Sequence, residues 1–249
     1  MKSRLTSYFR QRLGTLTALA WGLLALAAIA SSVPYNPPNR GAPGRSSTVR
    51  DAGSRGCGII ALEPTQTHWG ETLQPQPTFW VFLLEADRTV QLTVAAEGSE
   101  DIAYTATYAE IPQVGVSRLS PPEDVPALEP DVPYRWTLSV DCPDESGEDP
   151  ATTGIVVRRS PSEEFTQQLD AADTADRIAL LASYGLWYDA LTEIGDWRLQ
   201  DPQSDTAFLA WASLLEHDTV QLHDVVNQPL TECCQLGETP AESDELPEF

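Results

Sequence analysis

A chain of 249 residues with 37 carboxylates against 15 lysines and arginines carries a formal charge of −22. That balance excludes a phosphate backbone as a ligand and an anionic lipid surface as a resting place, because both would be repelled. Lys2 is the only lysine, and from Gly56 onward seven arginines face 36 carboxylates, a surface suited to staying dissolved in salt.

The first thirty residues set the address. Lys2, Arg4, Arg10 and Arg12 stand without an acidic neighbour, and an apolar run from Leu13 ends in Ala28-Ile29-Ala30. A positive start, an apolar centre and a small-residue cleavage site read as a secretory signal peptide over 1–30. Retention as an uncleaved anchor is the alternative. No second apolar stretch reaches the ~20 residues a bilayer span needs. The mature chain is therefore expected in the periplasm or outside the cell, without a transmembrane span.

Residues 31–55 are rich in Pro, Gly, Ser and Arg and read as a disordered tether. Export makes the cysteines candidates for pairing. Cys57 lies in Arg55-Gly56-Cys57-Gly58, which could mark a nucleophile, but the oxidising setting favours a bond to Cys142. That bond would close a loop worth ~4 kcal/mol in the chain-entropy model. Cys233 and Cys234 are adjacent, and neighbouring cysteines rarely reach the ~5.5 Å Cα separation a disulfide wants. They stay open between free, vicinally bonded and intermolecular states.

From 56 to 160 seven short runs follow: Cys57–Leu62, Thr78–Leu84, Thr89–Ala95, Ile102–Tyr108, Val114–Leu119, Tyr134–Val140 and Thr153–Arg158. Val90, Leu92 and Val94, like Tyr134, Trp136, Leu138 and Val140, alternate with the period of half-buried strands. Seven such runs predict an antiparallel β-sandwich. Leu128 precedes Tyr134 by six residues with prolines between, which resembles the sixth-strand entry of fibronectin type III and immunoglobulin-like domains. In that resemblance the tyrosine hydroxyl ties back to its own loop. Pro77-Thr78-Phe79-Trp80 similarly resembles the buried-tryptophan strand of such sandwiches.

From 161 to 230 the period becomes helical. Ser162-Glu163-Glu164-Phe165 opens a helix with carboxylates in its first turn, and Ile178, Leu181 and Ala182 follow on one face. Gly185, Trp187, Ala190 and Pro202 match the second half of a tetratricopeptide repeat. Phe208, Leu209, Trp211, Leu214 and Leu215 predict a third helix, and Val220–Val226 a short fourth. One repeat and a fraction falls short of the roughly three a solenoid needs. A helical hairpin packed on the sandwich is thus expected, with a peptide-binding groove as the alternative. Residues 231–249 are acidic and read as a disordered tail.

Catalytic motifs are sparse. His68, His217 and His223 are the only histidines, and the last two lie six apart, on different helix faces rather than at the spacing of a zinc pair. There is no HExxH, Walker loop, GxGxxG or GxSxG, and no cofactor or metal ligand is assigned. Calcium is the exception to keep in view, since carboxylates are its ligands. Yet the densest cluster, Asp141, Asp144, Glu145, Glu148 and Asp149, lacks calcium-loop spacing. Asp189, beside Trp187 and Tyr188, is the best single carboxylate for a glycosidase-type pair. Its plainer reading is a helix-surface aspartate next to core aromatics.

Several pieces taken in order resemble the cyanobacterial domain-of-unknown-function family numbered 928. They include Arg55-Gly56-Cys57, Ala61-Leu62-Glu63-Pro64, Pro77-Thr78-Phe79-Trp80, Tyr134-x-Trp136, Cys142 and Gly154-Ile155-Val156-Val157-Arg158. Tyr184-Gly185-Leu186-Trp187-Tyr188-Asp189-Ala190-Leu191 is the most specific block, and Pro229-Leu230 closes the match. The resemblance implies an exported accessory or interaction role. The expected architecture is α+β, a sandwich followed by a helical unit. The expected function is a non-enzymatic binding or adaptor protein that meets a protein partner through Trp187, Tyr188, Asp189 and Trp211, with oligomeric state left open. The alternatives are an envelope or extracellular hydrolase using a carboxylate pair, and a calcium-dependent surface protein.

Overall fold

The computed structural model describes residues 32–38, 57–142 and 149–231. The signal segment, residues 39–55 of the tether, Asp144, Glu145 and Glu148, Cys233, Cys234 and the acidic tail lie outside the described residues.

Each of the seven predicted runs overlaps a strand: β1 (Ile59–Ala61), β3 (Phe79–Leu83), β4 (Arg88–Ala96), β5 (Ile102–Ile111), β6 (Gly115–Leu119), β7 (Pro133–Val140) and β8 (Ala151–Arg158). Every pairing among these seven is antiparallel. Two further strands were not expected. β2 (Trp69–Thr72) runs parallel to β8, and β9 (Leu230–Thr231) runs parallel to β6. All four residues of β2 are buried, so it has no alternation to betray it, and β9 is two residues long. The chain thus forms one sheet in the order β1-β3-β6-β9 and another in the order β2-β8-β7-β4-β5.

Side chains of both sheets enter a common hydrophobic core, where Phe79 meets the Trp136 ring edge-on at 5.7 Å. Cys57 and Cys142 are disulfide-bonded as expected, with Cα atoms 6.0 Å apart. The Tyr134 hydroxyl accepts the Glu129 backbone N–H at 3.3 Å, with Leu128 buried beside it. Trp80 is buried too, but on the opposite face from Phe79. Its indole N–H donates to Thr192 Oγ1 at 3.2 Å and its ring meets Trp211, so it faces the helices rather than the second sheet.

Four helices follow the last long strand: α1 (Glu163–Ala171), α2 (Thr174–Ser183), α3 (Trp187–Gln200) and α4 (Asp205–Leu215). The segment from Ser162 to Ala182 is therefore two helices. Ala172 is extended, and the Asp173 carboxylate caps α2 by accepting the Asp176 N–H, the local competition that makes Asp a helix starter. Residues 220–226 form turns instead of a fourth predicted helix, with Gln221 at φ 59°. The tether reading also needs correction at its start. Val33 and Tyr35 are buried, Asn36 N–H donates to Ala182 O, and the Tyr35 ring meets Trp187 edge-on. Two apolar side chains at alternate positions sufficed to dock a Pro-rich segment.

Helix α3 is the joint between the layers. Trp187 Nε1–H donates to Leu62 O at 3.0 Å, just after β1. The Tyr188 hydroxyl donates to Ile155 O in β8 at 3.2 Å and accepts Trp136 Nε1–H from β7 at 2.7 Å. Further along, Gly195 lets Trp80 lie against the helix, since a Cβ there would sit 2.4 Å from the indole ring.

Candidate functional site

On α3, Asp189, Glu193, Asp196 and Gln200 recur at i, i+4, i+7 and i+11, which places them on one helical face. Across from that face runs the β2–β3 connection, where Thr72, Gln74, Gln76 and Thr78 alternate with leucine and prolines. These two walls, with Leu169 of α1 and Thr174 and Arg177 of α2, enclose a cleft of ≈ 430 Å³.

Asp189 lies at the inner end, 7% exposed. Its Oδ2 accepts the Leu73 N–H at 3.0 Å, and Oδ1 lies 3.4 Å from Gln74 Nε2. Burial pushes its pKa up to about 6, and the Leu73 N–H pulls it part of the way back. Desolvation dominates because the charged form loses water without gaining a cation. The other carboxylates of this face are paired. Arg177 of α2 holds Glu193 at 2.7 Å, and Arg118 of β6 holds Asp196 at 2.5 Å.

A second titratable pair sits at the β1–β2 turn. Glu63 is 4% exposed, and its Oε1 lies 2.8 Å from His68 Nδ1. Its other oxygen, Oε2, has no hydrogen-bond partner among the described residues. Gly154 makes room for this carboxylate, since a Cβ there would fall 2.2 Å from Oε2. Burial pushes Glu63 up to about 7, with His68 pulling it down, and the hydrogen bond that His68 makes to Glu63 raises His68 in turn.

The sequence-predicted partner residues part company here. Trp187, Tyr188 and Trp211 are buried at 0%, 4% and 0% exposure. They are therefore interior side chains, and the expected aromatic contact face is turned inward. Large rings with one polar handle gain most by burying the ring and bonding the handle, as all three do. Of the four, Tyr188 and Asp189 line the cleft, and Asp189 is buried rather than on the helix surface. Cys57 and Cys142 serve the core as a cross-link. Glu63, His68 and the Gln74–Gln76 wall were not singled out as site residues. The polar alternation of 72–78 was the available signal for the last of these. Among the described residues no group of three or more His, Cys, Asp or Glu converges to hold a metal. No helix among them is long and apolar enough to cross a membrane.

The cleft, the Glu63–His68 pair and both sheets all fall within one further observation. A family described as Domain of Unknown Function (DUF928) matches residues 40–230. The chain belongs to that family. No curated protein matches the sequence. Among solved structures, the chain is similar to Astrotactin-2, titled a conserved vertebrate-specific and perforin-like membrane protein involved in neuronal development. The identity is 13% and the TM-score 0.21, over 68% of this chain and 34% of that one. The chain spans about a third of that structure, and a likeness of this size carries no argument about fold or role.

Proposed function

We propose that the protein is an exported, non-enzymatic binding or adaptor module that receives a protein partner in the cleft between α3 and the 72–78 connection. One observation carries the reading: a polar cleft of ≈ 430 Å³ ends on a buried carboxylate that no cation of the described chain neutralises. A hydrolase would need a second free carboxylate beside Asp189. Glu193 and Asp196 are each held by an arginine, which weighs toward binding. Specific calcium binding would need several converging oxygens, and two of the cleft's three acids are engaged by arginines.

The disulfide supports export, and the family resemblance supports a cyanobacterial envelope or extracellular setting. The Tyr134–Glu129 hydrogen bond supports an immunoglobulin- or fibronectin-like sandwich. The α2–α3 pair, with Trp187 and Ala190 buried between them and the sheets, supports kinship with a tetratricopeptide hairpin.

A photo-cross-linking side chain at exposed Gln200, on the cleft rim, tests the reading in intact cells. A discrete protein adduct is expected there and not from the same group at Ile102, which is 61% exposed on β5. Identical adduct patterns from both sites would overturn it.

A further inference from the structure

We infer that the cleft seats a basic side chain of the partner, its guanidinium or ammonium group resting on Asp189. The inference rests on the reading of the cleft as a binding site and names the chemistry of the contact. A carboxylate more than nine-tenths buried is unfavourable unless a counter-charge meets it. Asp189 receives dipoles from Leu73 and Gln74, and no cation among the described residues pairs with it. Along the same helical face the two shallower acids have their arginines within the fold. The one charge left uncompensated is the one that opens into the cleft.

The rest of the lining suits a cation. The 72–78 wall contributes no charge, and its side-chain amides and hydroxyls, with Thr192 of α3, offer acceptors for the remaining N–H groups of a planar guanidinium. Trp197 and Leu181 line the cleft as well, giving apolar surface for the methylene stem of an arginine or lysine. An anionic ligand would meet three carboxylates against one cation of the lining, Arg177, which Glu193 already holds, and a neutral sugar would leave the charge of Asp189 buried and unpaired.

Titrations into ¹⁵N-labelled protein at pH 7.5, followed at the Leu73 and Gln74 amides, test this directly. The probes are end-capped glycyl-arginyl-glycine and glycyl-lysyl-glycine, their neutral citrulline and acetyl-lysine counterparts, and glucosamine. The basic peptides are expected to shift both amides saturably, with the neutral counterparts at least tenfold weaker. Asp189→Asn removes the difference between charged and neutral probes. The wild-type protein supplies the same test without a variant. The charged groups facing Asp189 are Glu193 and Asp196 of α3 and Arg177 of α2, all ion-paired. Between pH 7.5 and 5 the basic peptides should therefore weaken about tenfold as Asp189 protonates. Equal binding by neutral probes, or glucosamine binding in place of the peptides, overturns the inference. Cross-linking at Gln200 with no response to the basic peptides also overturns it while leaving the cleft reading intact.

Discussion

Glu63 Oε1 and His68 Nδ1 are hydrogen-bonded, while Glu63 Oε2 is buried with no hydrogen-bond partner among the described residues. Glu63 is raised from 4.5 to about 7, so the folded state holds a proton that the unfolded state releases first. Its contribution is fully present at low pH and is lost as pH rises from 4.5 through 7. His68 is raised as well, and its contribution likewise disappears as pH climbs past its folded value. Both signs agree, so the protein should melt at a lower temperature at pH 8 than at pH 5.5. The Glu63 share is on the order of 2–3 kcal/mol. Glu63→Gln should flatten the slope of melting temperature against pH, and an unchanged slope would remove the pair from the account. At this scale the sequence said little. Glu63 and His68 are five residues apart around a proline, with no periodicity to show that both turn inward. Asp189 was legible as a carboxylate between aromatics, but its depth was not. The wall that buries it, Leu73 and Gln74, lies more than a hundred residues away in the chain.

Strands and helices reveal which local signals survive folding. The alternation in β4 and β7 was readable because each has one face on the core and one half-exposed. β2 was not, because a parallel strand buried on both sides loses that contrast, and β9 is only two residues long. The break between α1 and α2 was written as Asp173, yet the apolar spacing continued past it and favoured one helix. Packing between elements offers a sharper test at Gly195. Alanine there gains about 1 kcal/mol of helix propensity. Its Cβ would approach the Trp80 ring to 2.4 Å, and overpacking of that kind costs roughly 1–3 kcal/mol. The rigid indole cannot yield, so the clash wins. Urea unfolding of Gly195→Ala should show a net loss of up to about 2 kcal/mol, and a gain would mean that Trp80 can move aside.

Among the described residues, one cross-link and one helix tie distant parts of the chain together. The Cys57–Cys142 bond spans 85 positions, and closing so long a loop restricts the unfolded chain by ~4 kcal/mol. Replacing both cysteines by serine should lower the unfolding free energy by about that much, measured in urea. A loss below about 1 kcal/mol would show that the unfolded chain is already confined. The pairing was legible because the other two cysteines, Cys233 and Cys234, are adjacent, which left few choices. The division into sheets followed by helices was legible in outline. What composition hid was the docking of residues 33–36, where Val33 and Tyr35 override their proline neighbours.

The packing around α3 also gives the molecule an optical signature. Trp80, Trp136, Trp187 and Trp211 are each at most 2% exposed, and all four lie where sheets and helices meet. Their fluorescence should be blue-shifted in the native state and should redden the moment that junction admits water. Loss of the helices alone would therefore be as visible as complete unfolding. A single emission transition coincident with loss of far-ultraviolet circular dichroism would mark sheets and helices as one cooperative unit.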